Sequence, residues 1–288
     1  MGNIVPPVYV EPAPLEPHRF GLFSIANMPL TMPDRWEAGL EWEPIWGVKS
    51  EGRVYACPAD APAFVTISAE TNTREVTPFL TVAAYECKAT SRSIEDAEER
   101  ARLYLLGGEE RAVESEIVAG TSGGTNLSAE ALDLTPTPGT GVSLVEAFQL
   151  LEESLYENHV SVPAIYLPKV LTARASYDAL LMRAGQNLET MGGTYVASGA
   201  GFNDPGGKPE YAPDAPAGSV YVYASGRPTV YRSEVFIQPD ETTYLNKDDN
   251  DVVILAQRAY AVTWSGPVFA VLVDLTACGC EDATVSNG

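Results

Sequence analysis

Cysteine, histidine and positive charge are all scarce. The 288-residue chain has four cysteines and two histidines. Cys57 and Cys87 stand alone, and Cys278-Gly279-Cys280 has no second close pair to complete a zinc set. The thiols are read as free and reduced, which fits an intracellular setting. Lys and Arg number 18 against 39 Asp and Glu, a formal net charge of -21. That deficit argues against a nucleic-acid reader, which displaces counterions from phosphate with Lys and Arg. It suits solubility, and equally a protein that sits beside nucleic acid without adhering to it. No apolar run reaches the ~18 residues of a membrane span. The start, MGNIVPPVYVEPAPLEP, has neither the basic head nor the apolar core of a secretory signal. Pro6 stands where a myristoylation motif needs Ser or Thr.

Catalytic signatures are missing too. There is no G-x-S-x-G elbow and no P-loop. Gly199-Ala200-Gly201 runs through Phe202 into Asn203-Asp204-Pro205-Gly206 rather than into a helix, so it is no dinucleotide fingerprint. His18 lies in a Pro-rich segment, and His159 falls between a helix and a strand, so neither is placed as a base. No catalytic residue, cofactor or metal ligand is assigned, and the chain is not read as an enzyme. An acid-pair hydrolase stays open as an alternative, because carboxylates are abundant.

Against these absences stands one long stretch, SIEDAEERARLYLLGGEERAVESEI, from Ser93 to Ile117. Ser93 followed by Asp96 is a capping pair, and the acidic first turn suits the positive end of the helix dipole. Ala97, Ala101, Leu105, Gly108 and Ala112 recur at spacings of three and four, giving a narrow face of small residues. Gly107-Gly108 is the weak point, since each Gly costs about 1 kcal/mol against Ala in a helix. The pair marks a bend or a close approach of another segment.

Before this helix lie two extended segments. Pro6, Pro7, Pro12, Pro14 and Pro17 favour an arm over residues 1–33, with Phe20, Leu22, Phe23 and Ile25 to pin it to a surface. Residues 34–75 read as a ribbon carrying Trp36, Trp42 and Trp46, three of the four tryptophans. Such a cluster serves either as contact anchors or as core, and the sequence leaves both open. Val76 to Glu86 reads as a strand leading into the helix. After it, a Gly/Ser/Thr/Pro-rich break from Gly120 to Gly141 opens a second domain.

There, Ser143 and Glu146 form a capping box ahead of a helix with Leu144, Phe148, Leu151 and Leu155 on one face. Val160–Leu167 reads as a strand, and Pro168 opens a helix running through Leu180 to about Gly185. Met191–Val196 reads as a strand after a tight turn. The last third is β: Val220–Ala224, Thr229–Ile237, Val252–Thr263, and, after Ser265-Gly266-Pro267, Val268–Leu275 expected to pair back on its predecessor. The class is α+β.

In element order and in several strings the chain resembles the major capsid proteins of tailed bacteriophages, with the Hong Kong 97-type fold. GGTYVASGAGF, SVYVYASG and RPTVYRSEVFIQPDETTYLNKDDNDVVILAQRAYAVTWSGPVFAVLVDL resemble that family's C-terminal third. FLTVAAYECKATSRSIEDAEERARLYLLGGEERAVESEI resembles its peripheral strand and spine helix. The resemblance implies an N-terminal arm (1–33) and an extended loop ribbon (34–75). It implies a peripheral domain of β-sheet and spine helix (76–140 and 228–280, helix 93–118) and a mixed α/β axial domain (141–227). It implies self-assembly into hexamers and pentamers of an icosahedral shell around phage double-stranded DNA, held without sequence-specific contacts and with no membrane. The site implied is the virion, assembled in the host cytoplasm. Portal, decoration and separate scaffolding proteins are the further partners, and Trp36, Trp42, Trp46, Phe20 and Phe23 the inter-subunit contact candidates. An encapsulin-like shell and another virion protein of the tail or decoration kind are the alternatives.

Overall fold

The computed structural model describes residues 18–44, 73–88, 93–120, 125–203, 215–238, 245–246 and 251–276. In chain order the helices are α1 (Leu22–Ile25), α2 (Ile94–Ala119), α3 (Leu127–Glu130), α4 (Leu144–Glu157) and α5 (Thr172–Tyr177). The strands are β1 (Leu40–Trp42), β2 (Arg74–Val76), β3 (Phe79–Lys88), β4 (Ala131–Asp133), β5 (Pro163–Pro168), β6 (Met182–Ala184) and β7 (Asn187–Glu189). They continue with β8 (Tyr195–Gly199), β9 (Ser219–Gly226), β10 (Thr229–Arg232), β11 (Phe236–Gln238), β12 (Leu245–Asn246), β13 (Asp251–Thr263) and β14 (Val268–Asp274).

Two larger sheets share the molecule. In the first, β13 is the centre: β3 pairs along one edge, from Phe79↔Tyr260 to Lys88↔Asp251, while β10, β11 and β12 share the other, all antiparallel. The second runs β4-β14-β9-β5-β8-β7-β6. Burial explains the second sheet. Along β14, Val268, Ala270 and Leu272 enter one apolar cluster, and Phe269, Val271 and Val273 enter another. β5 and β9 divide in the same way, Tyr166, Tyr221 and Tyr223 to one side and Ile165, Val222 and Ala224 to the other. Alternate side chains leave a strand on opposite faces, so a strand apolar at every position needs cover on both. The amphipathic α4 covers one face with Leu144, Phe148, Leu151 and Leu155; α1 and the end of α2 cover the other with Leu22, Ile25, Val113 and Ile117.

That requirement overturns the expected partner of the last strand. β14 does not pair back on β13; it pairs with β9 (antiparallel) and β4 (parallel) in the other sheet. After α2 has carried the chain from β3 to β4, it changes sheets through Gly226-Arg227-Pro228 and again through Ser265-Gly266-Pro267. The two crossings touch: Gly226 N–H donates to Ser265 O at 2.8 Å, and a Cβ on Gly226 would overlap Ser265. The helix expected from Pro168 to about Gly185 is also shorter. It comprises a 3-10 turn, Lys169–Leu171, and α5, and it stops at Asp178 before Ala179 takes a left-handed φ of 55°. β6 and β7, whose strands are three residues each, follow as a hairpin.

α2 is the element shared by both sheets. Ser93 Oγ accepts the Asp96 N–H at its start, and left-handed Gly120 closes its end by donating to Glu116 O. At ~1.5 Å rise per residue it spans roughly 39 Å. Its first half presents Ala97, Ala101 and Leu105 to Val252, Ile254 and Ala256 of β13, as the small-residue stripe predicts. Beyond Leu105 the stripe fails. Gly108 and Ala112 are exposed, and the buried face passes to Glu109, Glu110, Val113, Glu114, Ile117 and Val118. Gly107-Gly108 does not break the helix, and a Cβ on Gly108 would meet nothing of its own chain within 4 Å. No helix among the described residues is long and apolar enough to cross a membrane.

Candidate functional site

The ribbon leaves the body as the antiparallel pair β1–β2, with Leu40 opposite Val76 and Trp42 opposite Arg74. Its base is pinned by polar contacts to the crossing between the sheets. Trp42 Nε1 donates to Trp264 O at 2.9 Å, and the two indoles meet edge to face at 5.9 Å. Arg74 pairs with Glu130 at 3.0 Å and donates to Gly266 O at 3.1 Å, and Trp264 Nε1 donates to the other Glu130 oxygen at 3.2 Å. Burial raises the Glu130 pKa, and Arg74 opposes that shift. Trp36, 6% exposed, packs in its own chain's cluster with Val76, Ala259 and Ala261. Trp46 and residues 45–72 lie outside the described residues.

The arm enters at His18 and is held on both sheets. Phe20 adopts a left-handed φ of 67°, its carbonyl accepts the Ser198 N–H at 2.6 Å, and the Arg183 guanidinium lies 5.8 Å over its ring. Phe23 stacks on Tyr260 of β13 at 5.9 Å. Asn27 bridges to Thr229 of β10. Both Phe20 and Phe23 stay half-buried and line an open cleft of about 450 Å³, which His18, Arg19, Glu110 and Arg183 also border.

Three carboxylates sit where α2 passes from one sheet to the other. Arg258 of β13 grips both oxygens of Glu109, at 3.0 and 3.1 Å. Glu110 Oε1 accepts the Phe23 N–H at 2.8 Å. Glu114 accepts two, from Leu22 at 3.1 Å and from Gly201 at 3.1 Å. Glu110 and Glu114 thus cap the start of α1 and the turn after β8. Burial drives the Glu114 carboxyl up to about 7, against the backbone donors that favour its charge, and raises Glu110 as well. Nothing in the charge pattern marks these three carboxylates apart from the other acidic residues of the helix. The available signal was their spacing with Val113, Ile117 and Val118, which places them on an otherwise apolar side.

The first sheet leaves part of its outer face uncovered. Its inner face carries Ala83, Tyr85 and Cys87 toward α2. Outside, Leu80 is 59% exposed, Val82 55% and Phe236 47%. Gln257 of β13 lies directly between Val82 and Phe236 in register. Side chains opposite one another share a face, so Leu80 and Val82 on β3 and Phe236 on β11 flank Gln257 as exposed apolar side chains on the same outer face. Sequence reading missed them. The string Phe79 to Tyr85 is apolar at both odd and even positions, apart from Thr81, and that was the signal.

His159 sits in a left-handed turn after α4. Among the described residues no three His, Cys, Asp or Glu side chains group to hold a metal ion, and Cys87 is a free thiol.

No protein-family model matches the sequence. No curated protein matches it either. Solved structures do match in fold. The capsid of an empty GTA particle superposes with a TM-score of 0.59 at 12% identity, covering 95% of this chain and 96% of that one. The cyanophage Pam1 capsid asymmetric unit gives 0.52 at 8% identity, covering 96% and 98%. The capsid of Ralstonia phage GP4 gives 0.51 at 10% identity, covering 94% and 96%. The class is therefore defined: this is an α+β chain with the Hong Kong 97-like capsid fold, carried over nearly its whole length.

Proposed function

We propose that the chain is a major capsid protein, which assembles with copies of itself into hexamers and pentamers of an icosahedral shell around phage double-stranded DNA. The observation that carries this is the shared fold over 95% of the chain, end to end with a capsid subunit of nearly equal length. The exposed apolar side chains on the outer face of the first sheet are a surface that a lone subunit leaves open, and neighbouring copies would cover it. The net charge of -21 would keep the shell's wall from gripping the nucleic acid it encloses. Portal, scaffolding and decoration proteins are the further partners of this reading.

In it, the first sheet belongs to the peripheral domain (76–140 and 228–280) and the second to the axial domain (141–227), with α2 as the spine that joins them. By pairing, β4 and β14 go with the axial sheet. Phe20, Phe23 and Trp42 keep exposed surface for a neighbour, and Trp36 holds the ribbon's base from within. Electron microscopy of the purified protein tests the reading. Closed particles built from rings of five and six are expected. A monomer that persists at high concentration in virion-like buffer overturns it, and tubes or trimers would point to another virion component.

A further inference from the structure

The meeting point of arm, α2 and second sheet is short of both donors and cations. Glu110 and Glu114 stand one helical turn apart, so their side chains lie side by side. They are 6% and 2% exposed. Their four oxygens receive three backbone N–H groups, from Leu22, Phe23 and Gly201, and Glu110 Oε2 has no partner. The backbone packs closely on the pair: a Cβ on Gly21 would overlap Glu110, and one on Gly199 or Gly201 would overlap Glu114.

The surroundings do not neutralise two charges. α2 itself adds a third carboxylate, Glu109, whose partner is Arg258 of β13, with Tyr260 beside it. The arm brings His18 toward Glu110, and the turn after β5 brings Lys169 toward both carboxylates. Arg19 and Arg183 border the cleft on which Glu110 opens. α1 and the residues Ser198–Phe202 face the pair with no charged side chain. Among the described residues no cation lies within ion-pair distance of Glu110 or Glu114.

We propose that Glu110 and Glu114 are a proton-controlled latch, which holds the arm's first turn and the Gly199–Gly201 turn against the spine helix and loosens as pH rises. Two adjacent carboxylates buried together cannot both ionise without cost, so the closed junction keeps a proton. Lifting the arm admits water, removes that cost and releases the proton. Alkaline conditions therefore favour the open junction. The direction agrees with the raised pKa of both groups in the closed state. The latch is a property of the subunit and does not depend on assembly.

Hydrogen exchange on the full chain, followed by mass spectrometry from pH 5.5 to 8.5 and corrected for intrinsic rates, tests the latch. Protection of the Leu22–Phe23 and Gly201 amides is expected to fall roughly 10- to 100-fold across that range. Protection of the β3–β13 ladder should stay level. In Glu114→Gln the arm's pH dependence should flatten, since the amide holds no titrating proton. Constant arm protection in the unaltered protein overturns the proposal, and so does a ladder that loosens in step with the arm. If the Gln variant fails to fold by circular dichroism, the unaltered protein's pH series and its internal ladder reference still decide.

Discussion

Arg258 reaches from the central strand of the first sheet to clasp both carboxylate oxygens of Glu109, in the middle of α2. Their side chains are 12% and 6% exposed, so each neutralises a charge that has little other access to solvent. The pair marks where the spine helix stops packing through small apolar residues and turns its carboxylates inward. Cutting one side of such a pair strands the other charge, at a cost of about 3–5 kcal/mol. Glu109→Ala is expected to lower the urea midpoint accordingly, and Arg258→Met likewise. The double variant should recover part of the loss, because no buried charge is left alone. A single variant within about 1 kcal/mol of the unaltered protein would show that the clasp contributes little.

Global stability should also carry the signature of Glu114. A carboxyl whose folded pKa lies above its unfolded value binds its proton more tightly when folded. Its contribution is complete below about 4.5 and is lost as pH rises through about 7. At ~1.4 kcal/mol per pKa unit, the loss approaches ~3 kcal/mol as an upper bound. Thermal unfolding scans from pH 5 to 8 should therefore show a falling Tm, and Glu114→Gln should reduce the slope. An unchanged slope in that variant would assign the trend to other groups.

Two glycines, one within α2 and one packed against it, should respond oppositely. Gly108 is helical with open space where a Cβ would stand, so Gly108→Ala should stabilise by up to ~1 kcal/mol through helix propensity. Gly201 presses on α2, and a Cβ there would lie 2.6 Å from the Ser115 backbone nitrogen. Gly201→Ala should cost at least ~2 kcal/mol, since backbone on both sides must shift. Denaturant unfolding of the two variants measures both, and equal effects would contradict these packing assignments.

The exposed apolar side chains on the first sheet separate folding from assembly. Leu80 and Val82 are more than half exposed, so Leu80→Asp and Val82→Asp should move subunit stability by no more than ~0.5–1 kcal/mol. If neighbours cover this face, the same changes should abolish or sharply reduce particle formation by light scattering and microscopy, since a buried unpaired charge would be left at each contact. Particles forming at the ordinary yield would place the contact elsewhere.

Local signals were legible in the sequence because their physics is local. Ser93 and Ser143 cap their helices as their spacing to Asp96 and Glu146 requires, and each side chain accepts the expected N–H. The stripe of Ala97, Ala101 and Leu105 packs on Val252, Ile254 and Ala256 of β13, where short side chains let a helix approach a sheet closely. The polar crossing at Ser265-Gly266-Pro267 was visible as a turn. The destination of the strand beyond it was not: pairing depends on which partners offer cover on both faces, and that is settled far away in sequence, at β9 and β4. Trp36 and Trp42 looked alike as ribbon residues, yet one is enclosed by Val76 and Ala259 and the other is shared with Trp264.

The carboxylates show the division most sharply. By itself the sequence determined a long capped helix, its small-residue face and its acidic character, because those follow from spacing of 3.6 residues and from short-range hydrogen bonds. Only the tertiary structure decided that Glu109, Glu110 and Glu114 are buried while Gly108 and Ala112 are exposed. A charge can leave water when donors are brought to it, and the donors here, at Leu22, Phe23, Gly201 and Arg258, arrive from segments roughly 90 to 150 residues away along the chain.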